Sequence, residues 1–267
     1  MNELIGQLPG KVNELILELV SHPVTGDLGA FGISQYTFWM LVSTLILCVV
    51  LLVFVKKQSQ DVVPRGKFVN GIEFVIEYMR DNVLKGTVGP TWRKHFPFIA
   101  TVFFFVLFND FMGVIPGAKP GTGSIAMTGA VALCSFVYFI YIGVQKRGAW
   151  GYIKSLAPQG VMFPINIVVW CIEVFSTILR LITLAVRLFC NMFAGHVVLG
   201  AFAIMSSLFF SQLATGITGA TIAQAGISVG WELILIIIYA VEFLVAVVQA
   251  FVFALLSSVY VQLAENE

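Results

Sequence analysis

Charge is scarce in this sequence. Of 267 residues, 15 are Lys or Arg and 14 are Asp or Glu, so 11% are charged against 59% hydrophobic. That balance excludes a soluble globular domain and fits an all-α polytopic membrane protein. The formal net charge of +1 gives no reason to expect a nucleic-acid partner. Histidine is scarcer still. Of three copies only His196 lies deep in an apolar run, which disfavours a haem held by paired in-membrane histidines. The four cysteines (Cys48, Cys134, Cys171, Cys190) have no metal-ligand spacing and sit in apolar runs, so they read as small core residues. Nucleotide loops, metal motifs and nucleophile triads are missing, so no cofactor and no metal are expected. The first 30 residues lack a hydrophobic core of the signal-peptide kind, and the first span has to serve as the insertion signal. Internal repeats are also missing.

Long apolar runs are what the chain has in quantity. Residues 1–35 read as an N-terminal segment outside the membrane, with an amphipathic turn or two over Val12 to Val20. The rest, 36–267, reads as one membrane domain. Its first span is 36–55, with Tyr36 and Trp39 as an interfacial belt and Lys56-Lys57 closing the other end. Residues 67–85 are too charged to span and read as an amphipathic helix on the membrane surface. The second span is 95–116, rich in Phe and ending in Asn109-Asp110 and Pro116-Gly117. The third is 124–145. Two overlong runs follow, 161–213 and 228–264. The first amounts to roughly 75 Å of helix against ~30 Å of hydrocarbon, so it either breaks near Gly195 or Gly200 or lies strongly tilted. Between the two, the small residues from Thr215 to Gly230 read as a turn. Basic residues set the orientation. Lys56, Lys57, Arg65, Lys67, Arg80, Lys85, Arg93, Lys94, Lys146, Arg147 and Lys154 share one side, and only Lys11 and Lys119 the other. By the positive-inside rule the N-terminus is outside and the C-terminus inside.

The stretch from Ile165 to Phe202 is apolar almost throughout, yet it carries Glu173, Arg180, Arg187 and His196. A charged side chain at a bilayer centre costs at least ~2.5–3.5 kcal/mol, so these residues face protein or water rather than lipid. On a helix, Glu173, Ser176, Arg180, Thr183, Arg187 and Asn191 step by three or four and form one polar stripe. His196 is nine residues past Arg187 and falls on the opposite side.

Arg187 stays protonated at any accessible pH. It cannot relay protons, but it holds a fixed positive field that favours ionisation of a nearby acid. The plainer role is a structural pair with Glu242 or with backbone carbonyls. Asn191 shares its face, one turn on. His196 and Glu242 are deep and titratable, which suits a proton path; a static buried pair is the alternative. Gln249 follows Glu242 by seven residues, on the same face. Glu173 and Arg180 suit an ion pair near the inner surface, and Glu232 a solvated helix start near the outer one. His22 and His95 read as inert, at a chain end or an interface.

RLFCNMFAGH (Arg187 to His196) resembles subunit a of F-type ATP synthases, the stator channel of a membrane rotor. FNDFMGVIPG (Phe108 to Gly117) and QAFVFALLSSVYVQLA (Gln249 to Ala264) resemble two further stretches of that family. The resemblance covers most of the chain from about residue 95. It implies that Arg187 faces the essential carboxylate of the c-subunit rotor ring and separates two aqueous half-channels. Asn191, His196, Glu242 and Gln249 would line the outer one, and Glu173 would sit near the inner one. Arg180, Ser176, Thr183 and Glu232 would be supporting polar groups. The last two segments would form a long tilted hairpin. Implied partners are the rotor ring, peripheral-stalk b subunits and the soluble F1 head, in a bacterial plasma membrane. The chain itself would be a channel subunit and not an enzyme. Some members carry an acid where His196 stands and a histidine where Glu242 stands; here the two are exchanged. Cys190 and Arg180-Leu181 also stand where the family often shows Gly and Lys-Pro. The competing reading is a stand-alone secondary transporter with an intramembrane Arg187/Glu242 pair, a class usually built from repeats.

Overall fold

The computed structural model describes residues 10–13, 23–25, 33–58, 66–115, 117–148, 150–152, 165–211 and 219–266. Of the amphipathic turn expected over Val12–Val20, all but residues 12 and 13 lies outside them, as do residues 161–164 of the first overlong run. A small antiparallel ladder pairs β1 (Pro23–Thr25) with β2 (Ile33–Ser34). Everything else of regular form is helical. α1 is Gln35–Gln58 and α2 is Lys67–Tyr78, which continues through a wide π turn, Met79–Leu84. α3 is Trp92–Val114, α4 Ile125–Arg147, α5 Ile165–Ser211 and α6 Gly219–Asn266. Among the described residues five helices, α1 and α3 to α6, are long and apolar enough to cross a membrane. The molecule is an all-α polytopic membrane protein.

The core sits where α3, α5 and α6 meet. Ile99, Phe103 and Val106 of α3, Leu184 and Leu188 of α5, and Ala250, Phe253 and Ala254 of α6 form one buried cluster. On α6, Ala246, Ala250 and Ala254 are all 0% exposed. Lipid offers no hydrophobic drive to bring helices together, so close packing has to hold them, and a stripe of small side chains permits it. α1 buries only Ser43, Leu47 and Phe54 and exposes Leu41, Leu45, Val49 and Leu52, as an all-round apolar helix does in lipid. The wide turn after α2 lets Val83 and Leu84, neighbours in sequence, both point into the core at 0% exposure. The opposite side of α2's end carries an exposed ion cluster in which Asp81 pairs with Arg80 and Lys85. The hydrogen bond from Arg80 holds the Asp81 carboxyl below its usual range, and Asp81 raises the guanidinium in turn.

One alternative is decided and one expectation changes. α5 is unbroken through Gly195 and Gly200 over its 47 residues, about 70 Å at ~1.5 Å per residue. The turn expected between Thr215 and Gly230 is helical from Gly219 onward. Glycine and alanine mark turns in water, but membrane helices use them freely, because there the helix is the one local structure that satisfies the backbone.

Candidate functional site

α5 has two unlike faces. Thr177, Leu184, Leu188, Met192 and Leu199 are buried against the rest of the chain, while Ile178, Ile182, Val186 and Phe193 are exposed. Arg187 lies on the exposed side and forms no ion pair or hydrogen bond among the described residues. An unpaired guanidinium on an apolar surface is costly in a bilayer. The other members of the stripe are not alike. Glu173 and Arg180 are joined at 2.8 Å, and the Arg180 guanidinium lies over the Tyr260 ring of α6. Thr183 hydrogen-bonds back to Leu179 O of its own helix. Ser176 and Asn191 are half-buried, with no side-chain hydrogen bond among the described residues.

His196 points the other way, as nine helical residues require. Its Nδ1 stands 3.7 Å from Oε1 of Glu242, which is 8% exposed. That separation is too long for a direct hydrogen bond. Nδ1 and both carboxylate oxygens have no hydrogen-bond partner among the described residues. Glycine makes the approach possible. A Cβ at Gly195 would stand 2.6 Å from Glu242 Oε1, and one at Gly113 of α3 would stand 3.2 Å from His196 Cε1. The Phe111 and Phe243 rings, stacked at 4.9 Å, set the relation of α3 to α6 beside the pair. Gln249 is buried one face-repeat further along α6. Glu232, expected at a solvated helix start, lies well inside α6 and accepts a 2.5 Å hydrogen bond from Ser206 of α5.

A second group of buried oxygens lies nearby. Asn109 and Asp110 of α3 and Ser43 of α1 are all 0% exposed. Thr122 donates to Asp110 Oδ1 at 2.7 Å, while Asp110 Oδ2, Asn109 Oδ1 and Ser43 Oγ have no hydrogen-bond partner among the described residues. The short helical turn Gly121–Gly123 covers them and contacts α1, α3, α4 and α5. No group of three or more metal-ligating side chains occurs among the described residues.

The family model described as ATP synthase A chain matches residues 37–262. The chain belongs to that family. It is 33% identical over 234 residues to ATP synthase subunit a of Myxococcus xanthus, covering 86% of this chain and 72% of that one. It is 32% identical over 242 residues to the same subunit of Gluconacetobacter diazotrophicus, covering 90% and 92%. With that of Novosphingobium aromaticivorans it shares 30% identity over 263 residues, 96% of each chain.

Two further features of the chain differ from the sequence expectation. All four cysteines are exposed rather than core residues. In a membrane chain an apolar run does not say which side meets lipid. His95, expected to be inert at an interface, is 0% exposed. Its Nδ1 lies 3.0 Å from the Tyr138 hydroxyl and its Nε2 3.1 Å from Glu265 Oε1. A neutral ring satisfies both, accepting from the hydroxyl and donating to the carboxylate. Thr91 donates to the other Glu265 oxygen at 2.7 Å, and Lys146 donates to the Glu265 carbonyl. The C-terminal end of α6 is thereby tied to α3 and α4. The sequence signal for Asp110 was available, since an acid inside an apolar run is a functional candidate by default. None existed for His95, whose partner lies 170 residues away.

Proposed function

We propose that this chain is the proton-translocating stator subunit of a rotary ATP synthase, multi-pass in a bacterial plasma membrane. The observation that carries the reading is the exposed, unpaired Arg187 on the apolar outer face of α5, with the His196/Glu242 pair enclosed on its inner side. Arg187 faces the carboxylate of the rotor ring. Asn191, His196, Glu242 and Gln249 line the outer half-channel, and Glu173, held by Arg180, borders the inner one. Protons enter from outside by way of Glu242 and His196 and neutralise a rotor carboxylate, which then turns through lipid. A returning rotor acid gives its proton to the inner half-channel and passes Arg187 ionised. The fixed guanidinium blocks a direct leak and makes transit require rotation. The driving force is about 2.3 kcal/mol per charge per 100 mV. ATP chemistry belongs to the soluble head, and peripheral-stalk subunits hold the stator. The N-terminus lies outside and the C-terminus inside.

A stand-alone transporter gated by an Arg187/Glu242 pair is disfavoured, because no such pair forms among the described residues. The test is the whole complex in liposomes carrying Arg187→Ala. ATP-driven proton pumping is expected to vanish while ATP hydrolysis by the detached head is unchanged. Pumping at wild-type rate in the R187A complex rejects the reading. So does a tagged chain that purifies alone and transports ions by itself.

A further inference from the structure

The buried acid of α3 has no place in the path just described. Asp110 is 0% exposed, and its Oδ2 has no hydrogen-bond partner among the described residues. Asn109 Oδ1, next in the chain, and Ser43 Oγ of α1 are likewise buried and unpartnered among the described residues. Buried polar groups are almost always satisfied by protein or water, and water fills polar sites that offer two or more partners. A water molecule reaching Oδ2 would satisfy it.

The acid adjoins the pair at the site. Gly113 follows Asp110 by three residues and shares its helix face. A Cβ at Gly113 would lie 3.2 Å from His196 Cε1 and 3.0 Å from Pro120 Cγ. The His196 ring therefore rests on the α3 backbone one turn from Asp110, and the segment from Pro120 to Thr122 covers both. The turn is held close. A Cβ at Gly121 would stand 2.7 Å from Asn109 Oδ1 and 2.9 Å from Met40 Cβ of α1. Three residues past Met40 on the same face of α1 is Ser43. The titratable groups around this end are His196 on α5, Glu242 on α6, Lys119 beside the turn and Tyr36 on α1. Neither His196 nor Glu242 forms an ion pair or hydrogen bond with Asp110.

We propose that Asp110, held by Thr122, is a further proton-carrying residue that feeds the His196/Glu242 pair. The inference rests on the stator-channel reading. In the anionic state Oδ2 takes a proton from a hydronium ion, leaving water and a carboxylic acid. Oδ2 then returns the proton to a second water, which delivers it to the free Nδ1 of His196 or to the Glu242 carboxylate. Thr122 donates to Oδ1 throughout, so the carboxyl keeps one orientation while the other oxygen exchanges. The turn over it serves as a roof that keeps the acid out of lipid.

The test uses the full complex in liposomes, with the soluble head removed to read passive proton flux under an imposed potassium diffusion potential. Asp110→Asn keeps the shape and the acceptor for Thr122 but cannot exchange a proton. It is expected to lower flux about tenfold with normal assembly, and D110E to restore part of it. A D110N flux within twofold of wild type across the pH range overturns the proposal. Should D110N fail to assemble, Thr122→Val decides. It keeps the acid but frees its orientation, so the pH profile of flux must move, and T122S must restore it. An unmoved T122V profile overturns the proposal equally. Glu242→Gln in the same vesicles separates the two readings. If E242Q leaves the flux intact, the stator-channel reading itself fails. If E242Q abolishes it while D110N does not, only Asp110 is removed from the path.

Discussion

The Glu242 carboxylate lies over the bare backbone of Gly195, with Oε1 2.6 Å from where a methyl group at that glycine would stand. Gly195→Ala therefore acts on function more than on folding. The colliding atom is the end of a flexible side chain, which can rotate away at little cost, and alanine favours the helix by up to ~1 kcal/mol over glycine. Rotation, however, carries the carboxylate off its station beside His196. The expected outcome is thermal stability within a few degrees of wild type and a clear loss of proton pumping in liposomes. Unchanged pumping would mean that the proximity of Glu242 to α5 has no part in transport.

Much of this site could be read from residue spacing, and the reason is geometric. A straight helix fixes angles, so the opposition of Arg187 and His196 follows from a separation of nine residues. The shared burial of Glu242 and Gln249 follows from seven. Spacing does not give the third dimension. Nothing in the sequence distinguishes a lipid-facing cysteine from a core one, and the cysteine expectation was overturned for that reason. Pairings over long separations, such as His95 with Glu265, depend on how the helices stack. The turn expected before Gly230 was misread because small residues that end helices in water are tolerated in a membrane, where the helix is the local structure that satisfies the backbone.

The tie between His95 and Glu265 predicts where the C-terminus matters. Removing the carboxylate leaves Nε2 of a fully buried imidazole without an acceptor and the Thr91 hydroxyl with only its 3.5 Å contact to Val88 O, at roughly 1–3 kcal/mol for an unsatisfied buried group. Glu265→Ala and His95→Ala should each lower the thermal midpoint of the detergent-solubilised chain. The double variant should lose less than the sum of the two, because they share one interaction. Additive losses would show that the two residues stabilise the chain independently.

Gly143 offers a packing test far from the proton path. A Cβ there would fall inside contact distance of the Tyr152 ring, which is 8% exposed. An aromatic ring cannot turn aside as a carboxylate can. Gly143→Ala is therefore expected to destabilise by about 1–3 kcal/mol, the usual range for overpacking, and Tyr152→Ala should relieve the clash. A thermal midpoint unaffected by G143A would mean that the 150–152 segment moves away freely.

Cys190 is a natural reporter for the outward face of α5. It is exposed and lies three residues past Arg187, one turn along the same side of the helix. If that side meets the rotor, a photoactivatable cross-linker on Cys190 should capture a small membrane protein carrying an intramembrane carboxylate. The other three cysteines would first be replaced by alanine. The same reagent on Cys134 of α4, also exposed, serves as the comparison, with the remaining cysteines replaced in turn. Capture from Cys190 and not from Cys134 assigns the face of Arg187 to the rotor contact. Lipid adducts alone from Cys190 would leave the guanidinium facing hydrocarbon. That arrangement is too costly to retain without a partner, and the assignment of this face to the rotor would have to be abandoned.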